Sequence, residues 1–252
     1  MGLFVNLGVG IAASGMSFVL GIMLRTFTDN YRGRRSRAFW GKGIGNGKTI
    51  ILLGSLSDEL MARTPVFEPT GVVGLGDARA AHELASYFSR LGVTAKIAYA
   101  NSPLAGQGRN NIVLLGALEA NPLIKGAFDD VASTFRFETS LPMKVHDGLR
   151  NKSYVAELRG DRVTVDYGTL IRTRNPYAPE HTLVMIGGIY GFGTWGGVRL
   201  LNDKRFIKQC ALLSDKSKNG NVFELECVYS VHVHQGEPEF VRALEIRPIG
   251  GA

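Results

Sequence analysis

The chain has 252 residues, 32 of them glycine, and a net charge of +7. This length supports one large domain or two small ones, with a core that needs no disulfides. Cys210 and Cys227 are too few for a disulfide framework and are interpreted as buried thiols in a reducing compartment. Residues 25–48 carry seven basic side chains against the single acid Asp29, which leaves a net charge of only +1 for the rest. A nearly neutral remainder lacks the broad basic face that phosphate backbones require, so we expect no nucleic-acid partner.

The N-terminal segment is apolar, since residues 1–24 contain no charged side chain. Such a run is long enough to predict a transmembrane helix over 1–24, followed by a basic juxtamembrane linker over 25–47. Nothing basic precedes the run, which favours an anchor over a cleaved signal peptide. The basic residues that follow predict contact with membrane lipid, a cytoplasmic C-terminal domain and an N-terminus outside.

Small side chains recur along the predicted transmembrane helix at helical spacing. Gly10, Ser14, Ser17 and Gly21 would lie on one face. Such a face lets two helices approach closely in lipid, which indicates a homo-oligomer through this helix. The alternative is that glycine is simply common in transmembrane helices.

Residues 48–252 are predicted to form the cytoplasmic α/β domain, with two halves of similar layout at about 48–140 and 150–252. The first half predicts strands at Thr49–Leu53, 93–99 and Asn111–Leu115, and helices over 77–91 and after Asn121-Pro122. The second half predicts a hairpin over 154–166, a strand at 182–186, a helix over 194–202, a strand at 210–213 and an antiparallel pair at 223–233 and 240–246. This order predicts a Rossmann-like, mainly parallel three-layer domain with C-terminal antiparallel strands.

A glycine-rich turn lies between the predicted strand at 182–186 and the helix after it. Gly191, Gly193 and Gly196 satisfy the spacing GxGxxG. Over residues 182–215 the pattern resembles the phosphate-binding turn of Rossmann-type dinucleotide-binding proteins. The resemblance implies that Gly188, Gly191, Gly193 and Thr194 approach a phosphate and that Asp215 binds a ribose hydroxyl. The alternative is a turn whose glycines only permit tight packing.

Other polar residues are expected at the same edge of a parallel sheet, where open α/β sheets bind ligands. Ser55 follows the first strand, Asp77 begins a helix, and Asn121 precedes another helix. Together they indicate a site for a nucleotide-like or other small anionic ligand, and a nucleotide or dinucleotide is the cofactor class they suit. Each residue taken singly is also ordinary turn chemistry.

The leading functional hypothesis is a membrane-anchored sensor or regulator that binds this small-molecule ligand. The sequence predicts no catalytic residue and no metal site. One alternative is a nicotinamide- or nucleotide-dependent enzyme in which Tyr190 or Asp58 transfers a proton. Another is a structural subunit of a membrane assembly.

Overall fold

A computed structural model of the protein describes residues 20, 36–37, 39–40, 44, 49–54, 72–99, 109–116, 121–216 and 223–249. The strands in chain order are β1 (Thr49–Leu53), β2 (Ala95–Tyr99), β3 (Asn111–Leu115), β4 (Phe135–Glu138), β5 (Lys144–Asp147), β6 (Lys152–Val155), β7 (Glu157–Arg159), β8 (Arg162–Asn175), β9 (Ala178–Gly188), β10 (Leu225–His234) and β11 (Glu237–Pro248). The longer helices are α1 (Leu75–Arg90), α2 (Pro122–Asp130), α3 (Gly191–Leu200) and α4 (Lys204–Lys216).

The main sheet has the strand order β2-β1-β3-β9-β8-β10-β11, and β7 pairs with β8 beside this path. The pairs β2–β1, β1–β3 and β3–β9 are parallel. The pairs β9–β8, β8–β10 and β10–β11 are antiparallel. Because β9 pairs with β3, strands from both predicted halves form one continuous sheet. The antiparallel pair predicted near the C-terminus is confirmed, and β11 lies at the sheet edge.

Successive residues of the central strands point to opposite faces of the sheet, as the two-residue period of a strand requires. On one face, Ile51, Leu53 and Val113 pack in a core with α1, α3 and α4. On the other face, Ile50 and Leu52 pack with residues of α2. β1 and β3 are buried along their whole length, because both of their faces are covered.

A second, smaller sheet is formed by β4, β5 and β6 in antiparallel order. Phe135, Val145 and Tyr154 of this sheet pack against Ile189 and Val228 of the main sheet region. β4 and β5 were not predicted from the sequence. In β4, Phe135 and Phe137 alternate with polar residues over only four positions, and β5 contains a single apolar residue, Val145.

Two aromatic residues of the predicted linker belong to the core of the described structure. Phe39 and Trp40 are 2% and 1% exposed. The Phe39 carbonyl accepts a hydrogen bond from Arg172 Nε, and the Trp40 carbonyl accepts one from Thr182 Oγ1 at 3.0 Å. Trp40 Nε1 donates to the Tyr87 hydroxyl at 3.2 Å. The chain is therefore held against strands and helices well before β1 begins.

The prediction of a Rossmann-like, mainly parallel sheet is wrong, because the sheet is mixed. After α3 the chain continues into α4, not into a parallel strand, so the expected crossover is missing from the described residues. The strand predicted at 210–213 lies within α4. Phe206, Ile207, Cys210 and Leu213 recur at helical spacing and contact the core from one side of this helix.

The predicted transmembrane segment over 1–24 lies, apart from Leu20, outside the described residues. Within the part of the chain that is described, no helix is both long and apolar enough to cross a membrane. This finding contradicts the prediction of a single-pass membrane protein. We withdraw it together with the predicted orientation, whereas membrane-lipid contact and an oligomer through that segment are not tested and stay predictions.

Candidate functional site

The parallel strands β1, β3 and β9 end at one edge of the main sheet, and two helices begin there. Gly116 follows β3 with a φ of +121°, in the region that favours glycine. α1 begins after Gly74, and α3 begins shortly after β9. Gly76 and Gly191 lie so close that a Cβ added to Gly76 would overlap the Gly191 backbone. Two helix N-termini therefore converge at this edge.

Asp77 lies in the first turn of α1 and is only 5% exposed. Its Oδ2 atom lies 3.5 Å from where a Cβ on Gly74 would be and 3.3 Å from where a Cβ on Gly116 would be. Burial raises the pKa of Asp77, and the neighbouring Thr194 hydroxyl offsets part of that rise. The predicted site residues Asp77 and Thr194 are thus brought together, although 117 residues separate them in the chain.

Asp77 Oδ1 and Thr194 Oγ1 are both buried, and neither makes a hydrogen bond of normal geometry within the described structure. Thr194 is fully buried in the first turn of α3. Buried polar atoms in native proteins are nearly always hydrogen-bonded, so two such neighbours require an explanation. We call these two side chains the Asp77–Thr194 pair.

Asn121 lies beside this pair, and its side chain is already used. Its Oδ1 accepts the Leu123 N–H at 3.2 Å, which makes Asn121 the N-cap of α2. Its Nδ2 donates to the carbonyls of Leu115 at 3.1 Å and Leu52 at 3.5 Å. Asn121 therefore links the ends of β1 and β3 through hydrogen bonds.

The glycines of the GxGxxG turn are surrounded by atoms of the protein itself. A Cβ on Gly193 would lie 2.5 Å from the Gly188 Cα. Gly196 and Gly197 face Val231 and Tyr229 of β10 with no room for a side chain. These contacts fit the alternative in which the glycines let α3 pack tightly on the sheet.

The N-terminus of α3 is occupied by a carboxylate that the sequence analysis did not single out. Asp166 of β8 is fully buried and accepts hydrogen bonds from the backbone N–H groups of Gly193 at 2.6 Å, Tyr167 at 2.8 Å and Tyr190 at 3.1 Å. Burial raises the pKa of Asp166 to about 7, and these three hydrogen bonds act against that rise. Asp166 takes the place at α3 where a ligand phosphate was expected. In the sequence, Asp166 is the last residue of the predicted hairpin over 154–166. Nothing there indicates that this acid is buried in a central strand.

The remaining predicted residues either lie outside the described part of the chain or lie elsewhere in the fold. Ser55 and Asp58 lie outside the described residues. Asp215 lies near the end of α4, not at a strand end as predicted. Tyr190 directs its backbone N–H to Asp166, and its partly buried side chain packs on the cluster around Phe135.

A separate group of buried charges joins the two sheets, and it is fully partnered. Arg247 donates to Asp147 Oδ1 at 2.7 Å and to Glu226 Oε1 at 2.5 Å. Glu226 also accepts from Ser133 Oγ at 2.7 Å and from the Thr134 backbone N–H at 2.8 Å. We call these five residues the Arg247 cluster.

Hydrogen bonds control the ionisation of the Arg247 cluster. Burial acts to raise the pKa of Asp147 and of Glu226, but hydrogen bonds outweigh burial and hold both pKa values below their ordinary range. Arg247 supplies the first of these bonds to Asp147, and Thr134 and Arg247 supply them to Glu226. Burial likewise opposes the charge of Arg247, whose pKa these two carboxylates nevertheless raise.

No protein-family model matches the chain, and a search of curated proteins finds no match. No relative therefore supports the predicted nucleotide binding and signalling, and we do not retain either prediction.

Proposed function

We propose that this protein binds a small polar molecule at the edge where β1, β3 and β9 end, through Asp77 and Thr194. The supporting observation is that Asp77 Oδ1 and Thr194 Oγ1 are buried neighbours that make no hydrogen bond of normal geometry within the described structure. A buried polar group left unpaired costs about 1–3 kcal/mol, so folding alone does not favour this arrangement. A ligand that bonded to both atoms would remove that cost.

The site offers both an acceptor and donors to such a ligand. The Asp77 carboxylate accepts hydrogen bonds, so the ligand needs a hydroxyl or amino group at that point. Among the described residues, no side chain caps the N-terminus of α1, where the first backbone N–H groups have no partner within the helix. Those N–H groups suit an oxygen atom elsewhere on the ligand.

This chemistry differs from that of the purely anionic ligand expected from the sequence. A phosphate placed against Asp77 would meet a buried negative charge, which disfavours it. The N-terminus of α3, where a phosphate was expected, already holds Asp166. We therefore place the ligand beside α1 and give it at least one hydrogen-bond donor.

Thermal unfolding of the full chain with a panel of small polyols, amino acids, amines and organic acids tests this proposal. A ligand at about 100 times its Kd stabilises the native state by about 2.7 kcal/mol. In a chain of this size that is a rise in Tm of roughly 5–10 °C. We expect this rise in the wild type and in the control Asp161→Asn, an exposed turn residue, and not in Thr194→Val. A panel without any shift, or an equal shift in Thr194→Val, would contradict the proposal.

A further inference from the structure

The two edge strands of the main sheet differ in length and in side chains. β2 forms one edge with five residues, in which Lys96 is the only charged side chain. β11 forms the other edge with 12 residues, and its charged side chains have both signs. β11 pairs with β10 on one side, and on its other side no strand of the described structure bonds to its backbone N–H and C=O groups. Such an edge is a template for pairing with a further strand.

An apolar groove lies beside this edge, between α4 and β11. It has a volume of about 320 Å³ and is lined by Gln209, Leu212 and Leu213 of α4 and by residues 243–246 of β11. Leu212 is 55% exposed and Leu244 is 38% exposed. Exposed leucines grouped beside an open strand edge are typical of a surface that contacts another chain.

Two charged side chains of β11 lie on the face opposite the helices. Val241 and Ile246 pack against the core on the helix side. Their neighbours Arg242 and Glu245 therefore point to the other face, because side chains alternate along a strand. Arg242 is exposed and forms no ion pair with a described residue. Glu245 accepts a hydrogen bond from Arg150 at Oε1, at 2.8 Å, and no described donor bonds to its Oε2. Each of these two charges can take a further partner of opposite sign.

A β-bulge separates these two charges. Ala243 and Glu245 pair with successive residues of β10, so Leu244 is an extra residue in β11. In a two-fold symmetric antiparallel pair centred between Ala243 and Leu244, the bulge of one strand lies opposite the bulge of the other. The two extra residues then compensate each other, and residues beyond the centre lie opposite residues of the same face. In this register Arg242 of each copy lies opposite Glu245 of the other.

We propose that the protein forms a two-fold symmetric dimer in which β11 pairs with β11 of a second copy. The match of Arg242 with Glu245 favours a second copy as the occupant of this edge, because two-fold symmetry repeats the match on both sides of the centre. Leu212 and Leu244 of both copies lie near the centre. The interface thus has an apolar middle with an ion pair on either side, which is the usual arrangement of protein interfaces. The dimer does not depend on the ligand site, which lies at another edge of the sheet.

Charge reversal tests this register, with sedimentation equilibrium of the full chain as the measurement of dimerisation. Arg242→Glu sets like charges opposite each other twice, so dimerisation should weaken by about tenfold or more. Arg242 has no charged partner among the described residues of its own chain, so this change should not alter the stability of the monomer. Glu245→Arg should weaken dimerisation to a similar degree. Arg162→Glu, at an exposed position of β8, is the control and should leave dimerisation unchanged.

An equimolar mixture of the two charge-reversed variants separates the proposed pairing from a general loss of structure. In the mixed dimer, Arg242→Glu of one chain lies opposite Glu245→Arg of the other, and the unchanged residues also have opposite signs. We expect this mixture to form a heterodimer about as stable as the wild-type dimer. Leu244→Lys, which places a charge at the apolar middle, should weaken the dimer of the wild-type sequence by about tenfold or more.

Three outcomes would overturn the proposal. One is a wild-type chain that remains a monomer up to about 100 μM, well above the concentrations at which specific dimers form. Another is a dimer that neither Arg242→Glu nor Leu244→Lys weakens, which would place the association at another surface. The last is weakening by both charge reversals without recovery in their mixture, which would show that Arg242 and Glu245 do not face each other.

Discussion

The Arg247 cluster and the Asp77–Thr194 pair are both groups of buried polar side chains. The cluster is extensively hydrogen-bonded, whereas the pair is not. In the cluster, each carboxylate receives a guanidinium and further donors, and its pKa is held low. In the pair, two oxygens make no hydrogen bond of normal geometry in the described structure, and burial raises the pKa of the Asp77 carboxyl group. The cluster stabilises the contact between two sheets. The pair lacks such compensation among the described residues, which makes it the better candidate for function.

The largest effect is expected from breaking the cluster. Arg247→Met leaves Asp147 and Glu226 buried without their cation, and removing one partner of a buried ion pair costs about 3–5 kcal/mol. Equilibrium unfolding in urea measures this loss. Arg242→Met, an exposed arginine on the same strand, is the matched control and should change stability by less than about 0.5 kcal/mol. A loss of under about 1 kcal/mol for Arg247→Met would show that the cluster is not the stabilising region.

The pH dependence of stability should show the same contrast. The pKa of Asp166 is raised to about 7 in the folded protein, so the folded state holds a proton that the unfolded state releases between about pH 4 and 7. Stability from this group is therefore complete below about pH 4 and is lost as the pH rises to 7. Asp77 acts in the same direction. Asp147 and Glu226, with lowered pKa values, contribute stability above about pH 4 that is lost on acidification.

Together these groups predict maximal stability near pH 4–5, which urea unfolding across pH 3–8 would measure. Asp166→Asn should flatten the decline above pH 5, whereas Asp161→Asn should keep it. Stability that rises steadily from pH 5 to 7 in the wild type would contradict the assignment.

Local features of the fold could be predicted from the sequence where one short segment determines the structure. The apolar run at β1 is a strand as predicted, and Asn121-Pro122 begins α2 with the side-chain cap that this pair indicates. The turn at Gln235 and Gly236 joins two antiparallel strands, and both residues have positive φ. In each case the sequence pattern and the local structure that it predicts lie within a few residues of each other.

The sheet order could not be predicted, because it depends on pairing between distant segments. β8 contains Arg172 and Asp166, both fully or almost fully buried, so its sequence does not resemble a central strand. The segment at 210–213 is apolar enough for a strand, but its neighbours give it the spacing of an amphipathic helix. Because β8 was not recognised as a central strand and 210–213 was taken as a strand, we expected a mainly parallel sheet where the structure has a mixed one.

The candidate site could be predicted one residue at a time, but not as an arrangement. Asp77 was assigned to the site from its place at a helix start and Thr194 from the resemblance to a phosphate-binding turn, and the structure brings them together. The occupation of α3 by Asp166 depends on a contact between residues 27 apart, which no local pattern indicates.

The free energy of unfolding of Asp77→Asn, measured in urea beside the wild type at pH 7, tests the central claim most directly. If Asp77 is kept for a ligand, replacing its buried charge by a neutral amide should leave the protein as stable as the wild type or more stable by about 1 kcal/mol. If Asp77 instead holds the fold together, the same change should lower the stability by about 2 kcal/mol or more. That loss would contradict the account.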